Sequence, residues 1–400
     1  MYRNNVLIFD TAMSGHHSEY LKYLLDFLSS ENNHSYFYFV VGTGFKDNFP
    51  DIWEEAENIV NCELIEECKF DYDYLNNPSL LKRSIDSFRI MDYYANKFKV
   101  DHVCLMVFNI FQLPLLLRRP KYKLSGILFM PFFRASRRTL FNKIKYFRKF
   151  IFLRLVLLNS SIRNIFILND KKAVHFYNKK FNTSKFIFLP DPVPDLCSIE
   201  GLNLKQYYNI DEHRKIFLHI GSLGFRKGTF DLLESISLLP ENIVASTSFL
   251  LIGKPVNSEA NNRIITLIEK LNKDCTSSII FDNRFVSKEF MKTAINQCFI
   301  LILPYKRSEG SSGFLGHAAS SHKFVLVTGH GLLREIVEEN NLGYFIEQDN
   351  PEGIAESIKN VFFNGSFQNV DCQVFDNFVK HRSPNFFAKI IIESIVGSYV

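Results

Sequence analysis

Cysteine pairs are the first thing this sequence lacks. Its seven cysteines are scattered over 400 residues, are odd in number and include no CxxC spacing. That pattern argues against a disulfide framework and against a zinc site, and it favours a reducing compartment. The first apolar run opens directly into a glycine turn at Gly15, which is not the layout of a signal peptide. We therefore expect a cytoplasmic protein.

Long hydrophobic runs are missing as well. The longest uncharged apolar stretch, residues 103–117, is too short to cross a bilayer and contains Pro114. Hydrophobic residues make up 46% of the chain and charged residues 22%, a balance that excludes a disordered protein. Because 400 residues exceed the usual length of one domain, we expect two domains.

Acidic residues are absent from one long segment. Between His102 and Asn169 there are 13 Lys and Arg and no Asp or Glu, although the whole chain has 47 basic and 42 acidic residues. Within this segment, residues 137–154 mix cations with Phe, Ile and Leu at helical spacing. Such a helix suits an anionic membrane surface, which is the partner we favour. A core helix with a basic outer face and a nucleic-acid contact are the alternatives, and we expect no nucleic-acid partner.

Short apolar runs alternate with helical patterns along the chain, as in parallel βαβ folds. The alternation begins at the predicted strand Asn5–Phe9 and restarts at the predicted strand Ile216–Ile220. The strands predicted in the first half include Val103–Phe108 and Ser125–Met130. Between these halves lie three prolines in five positions, 190–194, which predict a stiff linker. We predict an α/β protein of two doubly wound Rossmann-like domains, 1–190 and 195–383, facing across a cleft, with residues 384–400 as a closing helix.

The segment from Gly221 to Gly228, GSLGFRKG, follows a predicted strand and opens a predicted helix. Free backbone N–H groups at a helix start, beside the cations Arg226 and Lys227, suit a diphosphate. The segment is not a Walker loop, because the GxxxxGK[ST] order is absent. A solvated helix start with ordinary basic residues is the alternative interpretation.

A second segment, residues 303–319, runs from a predicted strand through a polar loop into a helix of small residues. Ser311, Ser312 and Gly313 at that helix start would make another anion site through N–H groups and hydroxyls. Glu309, in the loop, is suited to hydrogen-bonding sugar hydroxyls. The alternative is a Ser/Gly loop that merely caps the helix.

Together the two segments resemble the retaining GT-B glycosyltransferases of family 4. The donor domain of that family opens with a strand, a glycine and a Lys-Gly entering a helix, which Gly221, Lys227 and Gly228 match. Its other hallmark is two glutamates eight positions apart, of which Glu309 matches the first. His317 stands in the place of the second glutamate. The resemblance covers most of the second half and, more weakly, the first strand–turn–helix.

The resemblance implies roles for these residues. Arg226 and Lys227 would neutralise the leaving diphosphate, and Glu309 would orient the donor sugar. His317 would contact the nucleotide ribose in place of a glutamate. Phe285 and Val286, which follow a predicted strand, resemble the loop that covers the base in this family.

In the first half, the resemblance places Gly15 beneath donor and acceptor, with His16 or His17 against the acceptor. Histidines at an exposed helix start are the alternative. The family often has a histidine after a later strand of this domain, where this sequence reads Met130 to Arg134. Arg134 stands near the place of that histidine and would replace it on the acceptor side, on the ground of position alone.

The resemblance implies transfer of a sugar from a UDP- or GDP-linked donor, with retention, to a glycan or lipid-linked acceptor. It further implies work on bacterial surface polysaccharide such as lipopolysaccharide, at the inner face of the plasma membrane. We expect no cofactor and no metal, since cations and helix dipoles would hold the leaving group. A GT-B nucleotide-sugar epimerase and a non-catalytic GT-B partner protein are the alternatives.

Overall fold

The computed structural model describes residues 4–13, 15–31, 34–67, 79–135, 137, 139–274, 278–306, 310–365 and 372–397. The chain divides into two compact units. The first comprises Met1–Pro192 and Pro384–Val400, and the second comprises Val193–Ser383. Each unit is a parallel sheet with helices packed on both of its faces.

The first unit holds a seven-stranded sheet in the order β3-β2-β1-β4-β5-β6-β7. Its strands are β1 (Asn5–Asp10), β2 (Tyr36–Val41), β3 (Cys62–Glu66), β4 (His102–Leu105), β5 (Lys123–Leu128), β6 (Ile162–Leu168) and β7 (Phe186–Leu189). Its helices are α1 (His17–Ser30), α2 (Phe45–Asn48), α3 (Pro50–Glu57), α4 (Leu80–Lys97), α5 (Gln112–Leu117), α6 (Leu140–Leu157), α7 (Lys171–Phe181) and α17 (Pro384–Val396).

Alternation along β1 explains the two cores of this unit. Successive side chains of a strand point to opposite faces of the sheet. Val6 and Ile8 therefore join the core beneath α1 and α17, whereas Leu7 and Phe9 join the core beneath α4 to α7. Burial on both faces makes the strand continuously apolar, which is why a run without polar alternation predicted a strand correctly.

The second unit holds a six-stranded sheet in the order β10-β9-β8-β11-β12-β13. Its strands are β8 (Lys215–Ile220), β9 (Thr247–Ile252), β10 (Ser278–Asp282), β11 (Ile300–Leu303), β12 (Val325–Thr328) and β13 (Gly343–Ile346). Its helices are α8 (Leu204–Tyr207), α9 (Thr229–Ile236), α10 (Glu241–Ala245), α11 (Ser258–Asp274), α12 (Lys288–Gln297), α13 (Gly313–Ala319), α14 (Gly331–Glu339), α15 (Pro351–Asn364) and α16 (Gln373–Lys380).

In both sheets the first strands are added on one side of the starting strand and the later ones on its other side. The starting strand therefore marks a point where the order of the strands reverses. In the second unit β8 lies between β9 and β11, and in the first unit β1 lies between β2 and β4. Because all the recorded pairings are parallel, the carboxyl ends of the strands share one edge of each sheet. Doubly wound sheets bind ligands at that edge, beside the point of reversal.

The predicted pair of doubly wound Rossmann-like domains is confirmed, with differences in detail. The edge strands β3 and β13 were not predicted. A predicted strand at Val103–Phe108 is wrong beyond Leu105, because the chain turns into a 3-10 helix at Phe108–Phe111. A second predicted strand, Ser125–Met130, ends at Leu128 instead, and Met130 has a φ of 50°.

The closing helix α17 packs on the first unit. Its Phe387 and Ile391 are fully buried in the same core as Leu24 of α1. The Phe387 ring lies 4.6 Å from the ring of Tyr20, centroid to centroid. Asn164 of β6 donates from its side chain to the carbonyl of Ser394 at 2.9 Å. The last helix thus completes the first sheet's covering layer.

Candidate functional site

The loop after β8 is shaped by two glycines with positive φ. Gly228 has a φ of 71°, and a Cβ built on it would lie 1.8 Å from the carbonyl oxygen of Pro304. Gly221 has a φ of 125°, and its Cβ would lie 2.9 Å from the ring of Phe314. Only glycine allows this backbone to pass so close to the loop after β11. The two segments singled out in the sequence are therefore packed against each other.

A buried network fixes the same loop from below. The Thr229 hydroxyl accepts a hydrogen bond from the Gly224 N–H at 2.9 Å and pairs with Nε2 of His219 at 3.0 Å. Nδ1 of His219 lies 3.0 Å from the carbonyl oxygen of Ile302. Burial lowers the pKa of His219 to about 4, so its ring is neutral and can donate to Ile302 while accepting from Thr229. The start of α9 is thereby tied to β8 and β11.

Lys227 is held over aromatic rings. Its Nζ lies 3.8 Å from the centroid of Tyr305 and 5.7 Å from that of Phe314. Among the described residues no carboxylate lies within ion-pair distance of Lys227 or of the exposed Arg226. Burial, and then the charge of Arg226, lowers the pKa of Lys227 to about 7. Two adjacent cations thus lie where the order of the strands reverses, with no counterion among the residues that the structure describes.

The loop after β11 supplies the platform beneath these cations. Tyr305 is 4% exposed, and burial raises its pKa to about 12, so the phenol stays neutral. Its hydroxyl pairs with the Ser312 hydroxyl at 3.0 Å. The N–H of Lys306 donates to the carbonyl of Arg226 at 3.1 Å, and its ammonium contacts the carboxylate of Asp231. Lys306 is therefore neutralised, unlike Lys227.

Helix α13 begins beside this platform. Ser312 occupies its N-cap position, but the serine side chain makes no capping hydrogen bond, since its hydroxyl bonds to Tyr305. Gly313, the first residue of the helix, is exposed and Ser311 is half-buried. One turn later the His317 ring lies 6.4 Å from the Phe314 ring, which itself contacts Lys227. The structure thus places His317 beside Phe314 on α13, and its contact with a ribose stays a prediction.

The predicted base-covering residues lie farther along the same edge. Phe285 and Val286 follow β10, which is separated from β8 by β9. The Phe285 side chain is 87% exposed, whereas Val286 packs partly into the core. Glu309, the residue predicted to orient the sugar, lies outside the described residues.

The corresponding edge of the first unit carries a histidine bound to a buried carboxylate. Nδ1 of His17 lies 2.7 Å from Oδ2 of Asp10, the last residue of β1. The Asp10 side chain is 2% exposed and that of His17 is 15% exposed. Burial raises the pKa of Asp10, and the hydrogen bond from His17 opposes this rise. Asp10 holds the imidazole in one orientation, which leaves Nε2 available to a ligand.

His16 lies beside this pair. Its ring stacks on that of His17 at 5.1 Å and lies 5.4 Å from the ring of Phe129, which follows β5. Desolvation, and then the charge of His17, lowers the pKa of His16 to about 4. Gly15, which precedes both histidines, has a φ of 78° and open space where a Cβ would stand.

Arg134 occupies a different kind of environment. Its Nε and Nη2 donate to the two carboxylate oxygens of Asp170 at 2.6 and 2.9 Å. The two side chains are 9% and 1% exposed. Asp170 also caps α7, because its Oδ1 accepts from the N–H of Ala173. The bidentate ion pair ties Arg134 to the fold, and its acceptor-side role stays a prediction.

Sequence reasoning missed Asp10 and Tyr305. Asp10 carried a usable signal, since it is a carboxylate at the end of an apolar strand, seven residues before His17. Tyr305 lies within the second segment, residues 303–319, but nothing in the sequence places its ring under Lys227. Within the described part of the chain, no three His, Cys, Asp or Glu side chains are grouped to hold a metal ion.

Comparison with known proteins adds to this geometry. Residues 202–370 match the family model described as glycosyl transferases group 1. No curated protein sequence matches the chain. The matched segment lies within the second unit and contains the Gly221–Gly228 loop, the Tyr305 platform and α13.

Solved structures of similar fold cover nearly the whole chain. WaaG, described as a glycosyltransferase involved in lipopolysaccharide biosynthesis, has a TM-score of 0.62 at 15% identity and covers 97% of this chain and 99% of its own. Anabaena HepE, in complex with UDP and glucose, has a TM-score of 0.65 at 12% identity, and the match covers 99% of this chain and 100% of HepE. A third structure, described as trehalose-6-phosphate from E. coli bound with UDP-2-fluoro glucose, has a TM-score of 0.67 at 9% identity. That match covers 97% of this chain and 98% of the other.

The fold of this chain is GT-B, with one seven-stranded and one six-stranded parallel sheet. This likeness concerns the fold, since sequence identity to these structures is only 9–15%. Function has to be argued from the residues of the site.

Proposed function

We propose that this protein is a glycosyltransferase that moves a sugar from a nucleotide-sugar donor to an acceptor. One observation carries the proposal: Arg226 and Lys227 have no carboxylate partner among the described residues, and they lie where a doubly wound sheet binds ligands. A diphosphate would supply the missing countercharge. The match of residues 202–370 to the glycosyl transferases group 1 model supports the same conclusion.

The chemistry follows from where charge develops. When the bond between the sugar and the diphosphate breaks, negative charge grows on the leaving group. Arg226 and Lys227 stabilise that charge more strongly in the transition state than in the ground state, which is the requirement for catalysis. The network of Thr229 and His219 keeps the loop from rearranging during the step. No metal is needed in this scheme.

The remaining donor contacts extend the proposal along the same edge. Ser311, Ser312 and Gly313 contact the diphosphate, and His317 contacts the ribose from α13. Phe285 and Val286 lie along the base, and Glu309 orients the sugar. The donor is a UDP- or GDP-linked hexose, and the configuration at the transferred carbon is retained, as the sequence resemblance implies.

The acceptor is a glycan or a lipid-linked glycan of bacterial surface polysaccharide. His17 contacts the acceptor, because Asp10 engages its Nδ1 and leaves Nε2 for a ligand. Gly15 and His16 flank it, and Arg134 is the weaker candidate on this side.

A lipid-linked acceptor requires a membrane surface, and α6 offers one. Its apolar side chains Leu140, Phe141, Ile144 and Phe147 are 60–75% exposed, beside lysines and arginines of the same helix. Phe150 does not belong to this surface, since its ring stacks on Phe181 at 4.9 Å. Among the described helices, none is long and apolar enough to span a bilayer. Peripheral binding to the inner face of the plasma membrane is therefore the mode we propose.

The test of transfer is an assay with UDP- and GDP-linked sugars in the presence of bacterial lipid extract. We expect nucleoside diphosphate release that depends on the extract, together with a glycosylated lipid detected by mass spectrometry. NMR of the product measures the anomeric configuration. Release of nucleotide and free sugar without extract would indicate an epimerase-like reaction. No turnover, with Lys227 shown to bind no nucleotide, would indicate a non-catalytic protein.

A further inference from the structure

A cavity of about 470 Å³ lies in the second unit, away from the loops described above. Its lining residues stand at the amino-terminal ends of β8, β11 and β12, whereas the donor loops follow the carboxyl ends of the same strands. Four of its lining residues are lysine or arginine, and Glu212 is the one carboxylate among those described. Cations therefore dominate a concave surface at the opposite edge of the sheet.

Two of these cations are already neutralised within the protein. Lys205 contacts Glu212, with 3.6 Å from Nζ to the carboxylate. Arg214 pairs with Asp211 at 3.1 Å and donates to the carbonyl oxygens of Val244 and Thr247. Their hydrogen-bonding capacity is largely used, so they form the wall of the cavity more than its binding groups.

Lys215 and Lys323 are different. Both are half-buried, and no carboxylate of the described residues lies within ion-pair distance of either. The Nζ of Lys215 lies 4.4 Å from the ring centroids of both Phe299 and Phe362, which fixes the ammonium without cancelling its charge. Lys215 begins β8 and Lys323 lies two residues before β12, and both of these strands neighbour β11. The two backbones are therefore about 10 Å apart, a distance at which two lysine side chains lining one cavity can reach the same small ligand.

Partly desolvated cations without counterions are unfavourable unless an anion joins them. A phosphate group has several acceptor oxygens and can take charge-assisted hydrogen bonds from both ammonium groups. Phe299 and Phe324 also line the cavity and offer apolar surface to the rest of a molecule larger than phosphate. We propose that this cavity binds a phosphorylated small molecule. The site is separate from the proposed transfer reaction and does not depend on it.

Amine acylation of the whole protein, mapped by peptide mass spectrometry, tests the site one lysine at a time. Glucose 6-phosphate and inorganic phosphate are the probes, and potassium chloride equalises ionic strength. A bound lysine should be acylated more slowly by a factor of 1 + [L]/Kd, about three at twice the Kd. We expect this at Lys215 and Lys323, with glucose 6-phosphate acting at lower concentration than inorganic phosphate.

Lys270, exposed on α11 and outside the cavity, is the internal control and should react at an unchanged rate. Lys323→Gln should remove the protection of Lys215, whereas Lys270→Gln should leave it intact. Unchanged acylation of Lys215 and Lys323 in the wild-type protein would overturn the proposal. So would equal slowing at Lys270, equal potency of the two probes, or protection of Lys215 that survives in a folded Lys323→Gln variant.

Discussion

Arg134 and Lys227 are two cations that follow parallel strands at the carboxyl edges of their sheets, and they are treated in opposite ways. Arg134 makes a bidentate ion pair with Asp170, and both side chains are almost completely buried. Lys227 lies over Tyr305 and Phe314 with no carboxylate partner among the described residues. The first arrangement stabilises a fold. The second keeps a cation available, which is what a binding site for an anion needs.

The largest effect that this comparison predicts is on stability. Asp170→Ala leaves the Arg134 guanidinium buried without its charge partner and should cost about 3–5 kcal/mol of unfolding free energy. Lys227→Met removes no ion pair, and because folding lowers the pKa of Lys227, removing its charge should leave stability unchanged or raise it. Urea unfolding followed by circular dichroism measures both. The double variant Arg134→Met with Asp170→Ala should recover much of the loss, and equal destabilisation by Asp170→Ala and Lys227→Met would contradict the comparison.

The second prediction concerns nucleotide binding. Because Lys227 is proposed to hold the diphosphate, Lys227→Met should weaken binding of UDP or GDP by about 2–5 kcal/mol, the usual cost of removing one member of a close charge pair. Lys270→Met, an exposed lysine of the same unit, is the matched control and should bind like the wild type. Isothermal titration calorimetry with both nucleotides measures the difference. Wild-type affinity in Lys227→Met would remove the diphosphate assignment.

A substitution at His317 tests a second contact of the proposed nucleotide site. If it contacts the ribose, His317→Ala should weaken nucleotide binding while His317→Glu should preserve it. The same calorimetric titrations measure this, and a crystal structure with nucleotide bound shows directly whether the ring faces the ribose. A ribose bound away from His317 would remove this role and leave the diphosphate contacts intact.

The fold could be predicted from sequence because its core strands are continuously apolar and regularly spaced. The edge strand β3 was missed because Glu63 and Glu66 interrupt its apolar pattern, and β13 because it has four residues and begins at Gly343. Both lie at sheet edges, where one side of the strand needs no partner. The apolar sequence pattern that predicts a strand is therefore less regular where the strand is less buried.

The candidate site was predicted less completely than the fold. Arg226 and Lys227 could be found because a strand, glycines and cations adjoin in the sequence. The residues around them could not be found in this way. Tyr305 and Phe314 stand about eighty residues further along the chain, and they reach Lys227 only because β8 pairs with β11. The Arg134–Asp170 ion pair, whose members are 36 positions apart, could not be predicted for the same reason. Contacts across strands are set by tertiary packing, which no periodicity reports.

The third prediction uses pH to test whether the charge of Lys227 holds the nucleotide. Folding lowers the pKa of Lys227 to about 7 from its ordinary 10.5, so between these values the unfolded chain binds more protons than the native protein. The contribution of Lys227 to stability should therefore rise with pH across that window. Nucleotide affinity should fall over the same range, because a diphosphate prefers the charged amine. Calorimetry and urea unfolding from pH 6 to pH 9 measure these opposite slopes.

Lys227→Arg is the informative control for this prediction, since arginine stays protonated throughout. It should bind nucleotide with an affinity that is nearly independent of pH. Parallel pH profiles in the wild type and Lys227→Arg would show that some other group titrates.

The fourth prediction concerns the membrane surface on α6. Each lysine or arginine near an anionic bilayer contributes about 1 kcal/mol, so Arg148→Ser with Lys149→Ser should weaken flotation with anionic vesicles. Phe141→Ser with Phe147→Ser should reduce the part that survives high salt, because these rings are exposed. Phe150→Ser, at a ring packed inside the unit, should affect stability instead. Equal flotation with neutral and anionic vesicles would reject the surface.

The smallest effect is expected at the histidine of the first unit. Asp10→Asn keeps a hydrogen-bonding group beside Nδ1 of His17 but removes the charge that orients the ring. Transfer should fall about ten-fold, equivalent to about 1.4 kcal/mol, while nucleotide affinity stays unchanged because Arg226 and Lys227, which are proposed to hold the diphosphate, belong to the other unit. Asp26→Asn, at a half-exposed carboxylate of α1, is the matched control and should leave transfer unaffected. Steady-state rates at saturating donor, with acceptor varied, separate a lost acceptor contact from a fold defect. If Asp10→Asn weakens nucleotide binding instead, or transfers at the wild-type rate, His17 is held by Asp10 for packing alone.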